Sequence, residues 1–146
     1  MINVINKGKR FERDTAAYLS SQTKSPWHRV PNSGGLSASH TNIAFQGDVY
    51  NDTQYKNVVV ECKSWNKMSI NELWSDKSKF HKAIQQAEDE SKGLPWLLFI
   101  KINNLGSYMI NKHQEEFIIK SMGLIDEDDG CLDLHKKYYM RKVTMK

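Results

Sequence analysis

Residues 47–65 read GDVYNDTQYKNVVVECKSW. Asp48 follows a glycine at the start of one alternating apolar run. Glu61 and Lys63 flank Cys62 at the end of a second, which opens on Val58, Val59 and Val60. Glutamate and lysine are poor strand formers, so their presence there calls for a cause. If 58–64 is a strand, Glu61 and Lys63 share a face and Cys62 takes the other. A reversal near 53–56 returns the Asp48 strand alongside, with opposed residues about 5 Å apart at Cβ. Asp48 and Glu61 then face each other, with Lys63 next to them. Two carboxylates that close repel, and burying them is costly. A hard divalent cation that takes few protein oxygens and keeps several waters removes the conflict, which describes Mg²⁺. The lysine can orient or help deprotonate an attacking water, or stabilise charge building on a phosphate. Together these residues are the equipment of metal-assisted phosphodiester hydrolysis. The competing reading is a solvated hairpin with a Glu–Lys surface pair, which so short a pattern also permits.

The elements that must hold these groups are legible around them. Asn6 can cap a helix over 8–19, where Phe11, Thr15, Tyr18 and Leu19 recur at helical spacing. A short strand is expected over 27–30 and a glycine- and serine-rich loop over PNSGGLSASHTN. Strands follow over 44–50 and 58–64, joined by the turn residues Asn51-Asp52-Thr53-Gln54. A helix over 76–91 presents Phe80, Ala83, Ile84 and Ala87 on one face and stops at Gly93. The apolar run 94–102 is a buried strand, with 107–110 able to pair with it across a turn. Residues 113–122 read as a further helix stopped by Gly123, and the remainder is ambiguous. Helix, strands, helix, strands and helix in that order imply an α/β domain, a central mixed sheet flanked by helices.

The chain has 146 residues, the size of one domain, and can bury a core without disulfides or structural metal. Its net charge of +4 and pI of 9.0 fit a polyanionic partner without requiring one. Cys62 and Cys131 form no CxxC pattern, and the five histidines show no zinc spacing. The start, MINVINKGKRFER, has no apolar signal core, and the longest apolar run is too short to span a bilayer. A soluble chain of a reducing cytoplasm with no membrane partner is the expectation.

The pattern GD, a dozen residues, then VVVECK resembles the PD-(D/E)xK nuclease superfamily. Asp48 matches its first acid, Glu61 its second and Lys63 its lysine. KGKRFER resembles the first motif of the Holliday junction resolvases of archaea and phages, with Glu12 and Arg13 in the matching places. VPNSGG resembles the segment before the first acid in those enzymes. AIQQAEDESKGLPWLLFIK resembles the helix and strand that follow the lysine, with Gln86 or Gln85 near the site. The superfamily's proline before the first acid is replaced by Gly47. The resemblance covers about 7–102, within a single domain spanning 1–146 whose part 103–146 completes or extends the core.

The resemblance implies a restriction-endonuclease-like fold. It implies that Glu12, Asp48, Glu61 and the backbone carbonyl of Cys62 hold one or two Mg²⁺ ions, for which Mn²⁺ can substitute, and that Lys63 positions the attacking water. Lys7, Lys9, Arg10 and Arg13, expected at the first turn of the first helix, read as phosphate contacts. Ser33, Gly34 and Gly35 read as a loop that approaches the DNA backbone closely. Gln86 reads as a hydrogen-bond partner of a water or phosphate. The expected activity is structure-selective cleavage of branched double-stranded DNA by a homodimeric Holliday junction resolvase. The alternatives are another nuclease of the superfamily (restriction, flap or replication-repair type) and a non-catalytic nucleic-acid-binding module. Trp96 reads as core, Trp65 and Trp74 as packing residues, and the acidic run 126–129 as a solvated turn.

Overall fold

The computed structural model describes residues 4–31, 47–103, 105–125 and 130–145. A helix α1 (Val4–Thr23) leads into strand β1 (Trp27–Arg29), followed by β2 (Val49–Asn51) and β3 (Val59–Trp65). A 3₁₀ turn (Ile70–Leu73) and helix α2 (Lys79–Ser91) connect to β4 (Trp96–Ile102), which turns into β5 (Gly106–Lys112). A second 3₁₀ turn (His113–Glu115) runs into the short helix α3 (Glu116–Ser121). Strands β6 (Leu132–Leu134) and β7 (Tyr138–Val143) follow. Among the described residues the strands form one seven-stranded sheet in the order β1-β2-β3-β4-β5-β7-β6. β3 and β4 are parallel, and the other neighbouring pairs are antiparallel. A parallel pair needs a crossover, and α2 supplies it. The chain is therefore α/β with a mixed sheet between helices, a restriction-endonuclease-like fold.

The central strand β4 is apolar at nearly every position because both its faces are covered. Leu97 and Phe99 pack on the α1 side with Phe11, Leu19, Val60 and Ile119. Trp96, Leu98 and Ile100 pack on the α2 side with Phe80, Ala83, Ile84 and Ala87. The alternation of β3 is split in the same way. Val58 and Val60 enter the α1 layer and Val59 the α2 layer, so Glu61 and Lys63 are directed toward α2 and Cys62 toward α1.

Several sequence expectations need correction. The first helix begins at Val4, so Asn6 lies inside it and is not its cap. Lys7 consequently closes the first turn of α1, and Lys9, Arg10 and Arg13 lie on the turns after it. Of the strand expected over 44–50, the described part is regular strand only from Val49, with Gly47 bridging Val60 ahead of it; residues 44–46 lie outside the described residues. The second helix starts at Lys79 because Ser78 caps it, its hydroxyl accepting from the His81 N–H. Its left-handed C-cap is Lys92, one residue before Gly93. The helix expected over 113–122 is a 3₁₀ turn followed by six α-helical residues. The acidic run 126–129 and the loop residues Ser33, Gly34 and Gly35 lie outside the described residues.

Candidate active site

The site is built where β2 and β3 part. Val49 faces Val60 across the antiparallel pair, and the same register brings Asp48 level with Glu61. The Asp48 N–H donates to the Val60 carbonyl at 2.8 Å, and its own carbonyl accepts from the Val30 N–H at 3.0 Å. Beyond this point the Asp48 side chain takes over the pairing, for Oδ2 accepts the Cys62 N–H at 2.8 Å. Gly47 makes the geometry possible. Its φ of +83° suits glycine, and a Cβ there would lie 2.4 Å from the Val60 carbonyl oxygen. This is why glycine stands where the superfamily pattern has proline. Along a strand the N–H and C=O of one residue point to the same neighbour. The Cys62 carbonyl therefore faces the β2 side as its N–H does, at the level where the Asp48 carboxylate has replaced a backbone partner.

Glu61 is 4% exposed, and its Oε1 is buried with no hydrogen-bond partner. Burial, then the charges and contacts of Asp48 and Glu90, push its pKa from the ordinary 4.5 up to about 10. Asp48 is raised as well, by burial above all, and the Cys62 N–H and Lys63 oppose the shift. Glu12, on α1, is raised by burial and then by Asp48. Arg29 opposes this, its Nε donating to Glu12 Oε1 at 2.9 Å. The Cys62 thiol points into the α1 layer, where burial and then Asp48 hold it well above the usual thiol range. Acids thus reach the β2–β3 fork from three elements: α1, the segment before β2, and β3. Lys63 is close enough to Asp48 to favour its ionised form.

Burial beside a second acid favours the protonated form of Glu61, and a cation there would supply the positive charge that its unpartnered oxygen lacks. The donors that fit are Asp48, Glu61 and the Cys62 carbonyl, all oxygen and all hard, as a divalent ion that keeps several waters requires. Among the described residues no three His, Cys, Asp or Glu side chains converge tightly enough to enclose a metal alone. Glu12 reaches this group electrostatically while its Oε1 is engaged by Arg29.

The remaining expected residues separate. Arg10 and Arg13 are exposed on α1, Lys9 is half-buried, and the Lys7 ammonium donates to Asn66 Oδ1 at 2.7 Å. Gln85 points away, its amide bonded to Asp89 at 2.9 Å. Gln86 is half-buried and donates to Glu90 Oε1 at 3.1 Å, so it touches the site through Glu90. Trp96 is fully buried, Trp65 packs against the α2 layer, and Trp74 is half-exposed beside His135.

Glu90 is the residue that sequence reasoning missed. It lies in the last turn of α2 within hydrogen-bonding reach of Glu61. A signal did exist. Glu88, Asp89 and Glu90 crowd the C-terminal turn, where the helix dipole disfavours negative charge and where no base stands. Glu88 is offset by the Trp96 indole and Lys112, and Asp89 by Gln85. Glu90 is the acid of the three turned toward the site.

No curated protein and no solved structure matches the chain. The fork of β2 and β3, its paired acids and its lysine are the arrangement after which the PD-(D/E)xK nucleases are named, and members of that superfamily generally use divalent metals. Residues 3–129 match the family described as "Phage putative PDDEXK endonuclease", and the chain belongs to it.

Proposed function

We propose that the chain is a Mg²⁺-dependent DNA endonuclease that hydrolyses phosphodiesters at four-way junctions, acting as a homodimer. The observation that carries the hydrolytic reading is the Asp48–Cys62 bond at 2.8 Å, which sets Asp48 beside a buried Glu61 with an unpartnered oxygen. Asp48, Glu61 and the Cys62 carbonyl would hold the ion, with Glu12 reaching it from α1. When bound, the ion withdraws electron density from the scissile phosphate and neutralises the charge that builds on it. Lys63 orients the attacking water for in-line displacement and favours its loss of a proton by placing positive charge beside it. Arg29 holds Glu12 in place. Gln86 holds Glu90. The exposed Arg10 and Arg13, with Lys7 and Lys9, supply phosphate contacts that position the duplex without reading its sequence.

The junction preference rests on KGKRFER and on VPNSGG in the sequence. A four-way junction offers two symmetric strands, which a two-fold dimer is shaped to cut together. The test offers labelled four-way junctions, flaps, single strands and plain duplex, with Mg²⁺ or with EDTA. Paired nicks near the branch point, abolished by EDTA, are expected. Efficient cutting of plain duplex at a fixed sequence would instead make it a restriction-type member of the superfamily.

A further inference from the structure

A pocket of about 460 Å³ opens between the first turns of α2 and the turn that joins β6 to β7. Strand β7, which supplies Tyr138 to its wall, lies three strands from β3, about 14 Å at the usual spacing of about 4.8 Å. The wall carries His81 and Lys82 from α2 and His135 and Lys137 from the turn. Asp76 is the one acid that lines it among the described residues. Among those residues no carboxylate pairs with any of the four basic groups. The turn holds His135 there against its backbone preference. His135 and Lys136 have φ of +55° and +58°, and across them the Lys137 N–H donates to the Leu134 carbonyl at 3.0 Å. Two such left-handed residues in a hairpin turn are ordinarily asparagine and glycine, and other side chains hold that backbone under strain. Here an imidazole and a lysine hold it, and His135 Nε2 stands 3.3 Å from His81 Nε2. The Leu73 carbonyl, 2.7 Å from the same His81 nitrogen, can only accept, so that nitrogen carries a proton.

Ammonium and imidazole donors that converge from two elements suit an anion with oxygens on several sides, as a phosphate has. The positive end of the α2 dipole favours the same charge. We propose that this pocket binds a phosphate group. The site itself does not depend on the hydrolytic reading. Under that reading the phosphate belongs to the backbone of the bound DNA, about four nucleotides from the scissile bond at about 3.4 Å per step. The pocket then steadies a stretch of strand that the fork does not touch.

Nuclear magnetic resonance of the full chain, labelled in its histidine rings, tests this in EDTA, where cleavage does not intervene. Inorganic phosphate is one arm, a short DNA duplex the other, and potassium chloride at matched ionic strength the control. The His81 and His135 ring signals should shift saturably with phosphate and not with chloride. In Lys82→Gln/Lys137→Gln the affinity should fall about tenfold or more, the scale of hydrogen bonds to charged groups. Lys56→Gln/Lys92→Gln removes the same charge from exposed positions outside the pocket and should bind as wild type does. Lys82 and Lys137 are exposed too, so the pocket variant should fold, and circular dichroism checks this. A duplex that moves the same two signals supports the site and assigns it to DNA. Phosphate that moves them where the duplex does not supports the site and assigns it to a small phosphate compound. Signals that answer phosphate no more than chloride and do not answer the duplex would overturn the site. So would an affinity unchanged in Lys82→Gln/Lys137→Gln, and either result leaves the hydrolytic reading standing.

Discussion

Asp48 Oδ2 accepts the Cys62 N–H, and an asparagine oxygen can accept the same bond. Asp48→Asn should therefore preserve the fork while removing the charge. Single-turnover cleavage is expected to fall by about 10²-fold or more, the scale on which aligned active-site charges act. The melting temperature should not fall. Glu61 gives a pH signature. Its folded pKa, about 10, lies far above the ordinary 4.5, so the folded chain keeps a proton that the unfolded chain releases. For this group stability is complete below pH 4.5 and is lost as pH rises from there toward 10. In EDTA the wild type should melt at lower temperature at about pH 9 than at about pH 5. Glu61→Gln should flatten that dependence, leaving a smaller slope from Asp48, and should melt higher than wild type at about pH 8. An unchanged slope in thermal scans would place the pH dependence elsewhere. Asp48, Glu61 and Lys63 were legible because charges break the apolar alternation of two strands. Glu90 was not, because an acid at a helix end looks solvated until the crossover lays it against β3.

The fork depends on backbone that no side chain can enter. Gly47→Ala places a Cβ against the Val60 carbonyl at a left-handed φ. It should cost about 2 kcal/mol or more, read as a lowered denaturant midpoint, and should weaken cleavage by displacing Asp48. Helix α2 and strand β4 were readable from period and apolar run, since each is buried as its pattern demands. The last two strands were not. β6 is mostly exposed and three residues long, and β7 carries Arg141, 5% exposed, in the middle of its pairing with β5. Its charge is matched by Glu116 of α3 and by Asn111 Oδ1 at 3.1 Å, partners that the linear sequence does not place beside it. Glu116→Ala leaves that guanidinium under-paired and should destabilise the chain by about 1–3 kcal/mol in chemical unfolding. A basic strand with a buried charge reads as a tail until its acid is found.

The whole molecule carries a net charge of +4, and its exposed arginines on α1 lie along one helix that also delivers Glu12. Replacing Arg10 and Arg13 by alanine should weaken binding to any duplex about equally. It should also reduce the slope of log K against log salt by about 0.9 for each phosphate that is no longer neutralised. Fluorescence anisotropy at several salt concentrations measures this, and an unchanged slope would remove α1 from the interface. The buried oxygen of Glu61 has a consequence for the bulk solution. Burial favours its protonated form near neutral pH, and the divalent ion of the proposed site would expel that proton on entering. That ion would then add about one charge to the molecule instead of two, and the buffer would take up what is released. Calorimetric heats of metal loading should accordingly differ between Tris and phosphate in proportion to the ionisation enthalpies of the two buffers.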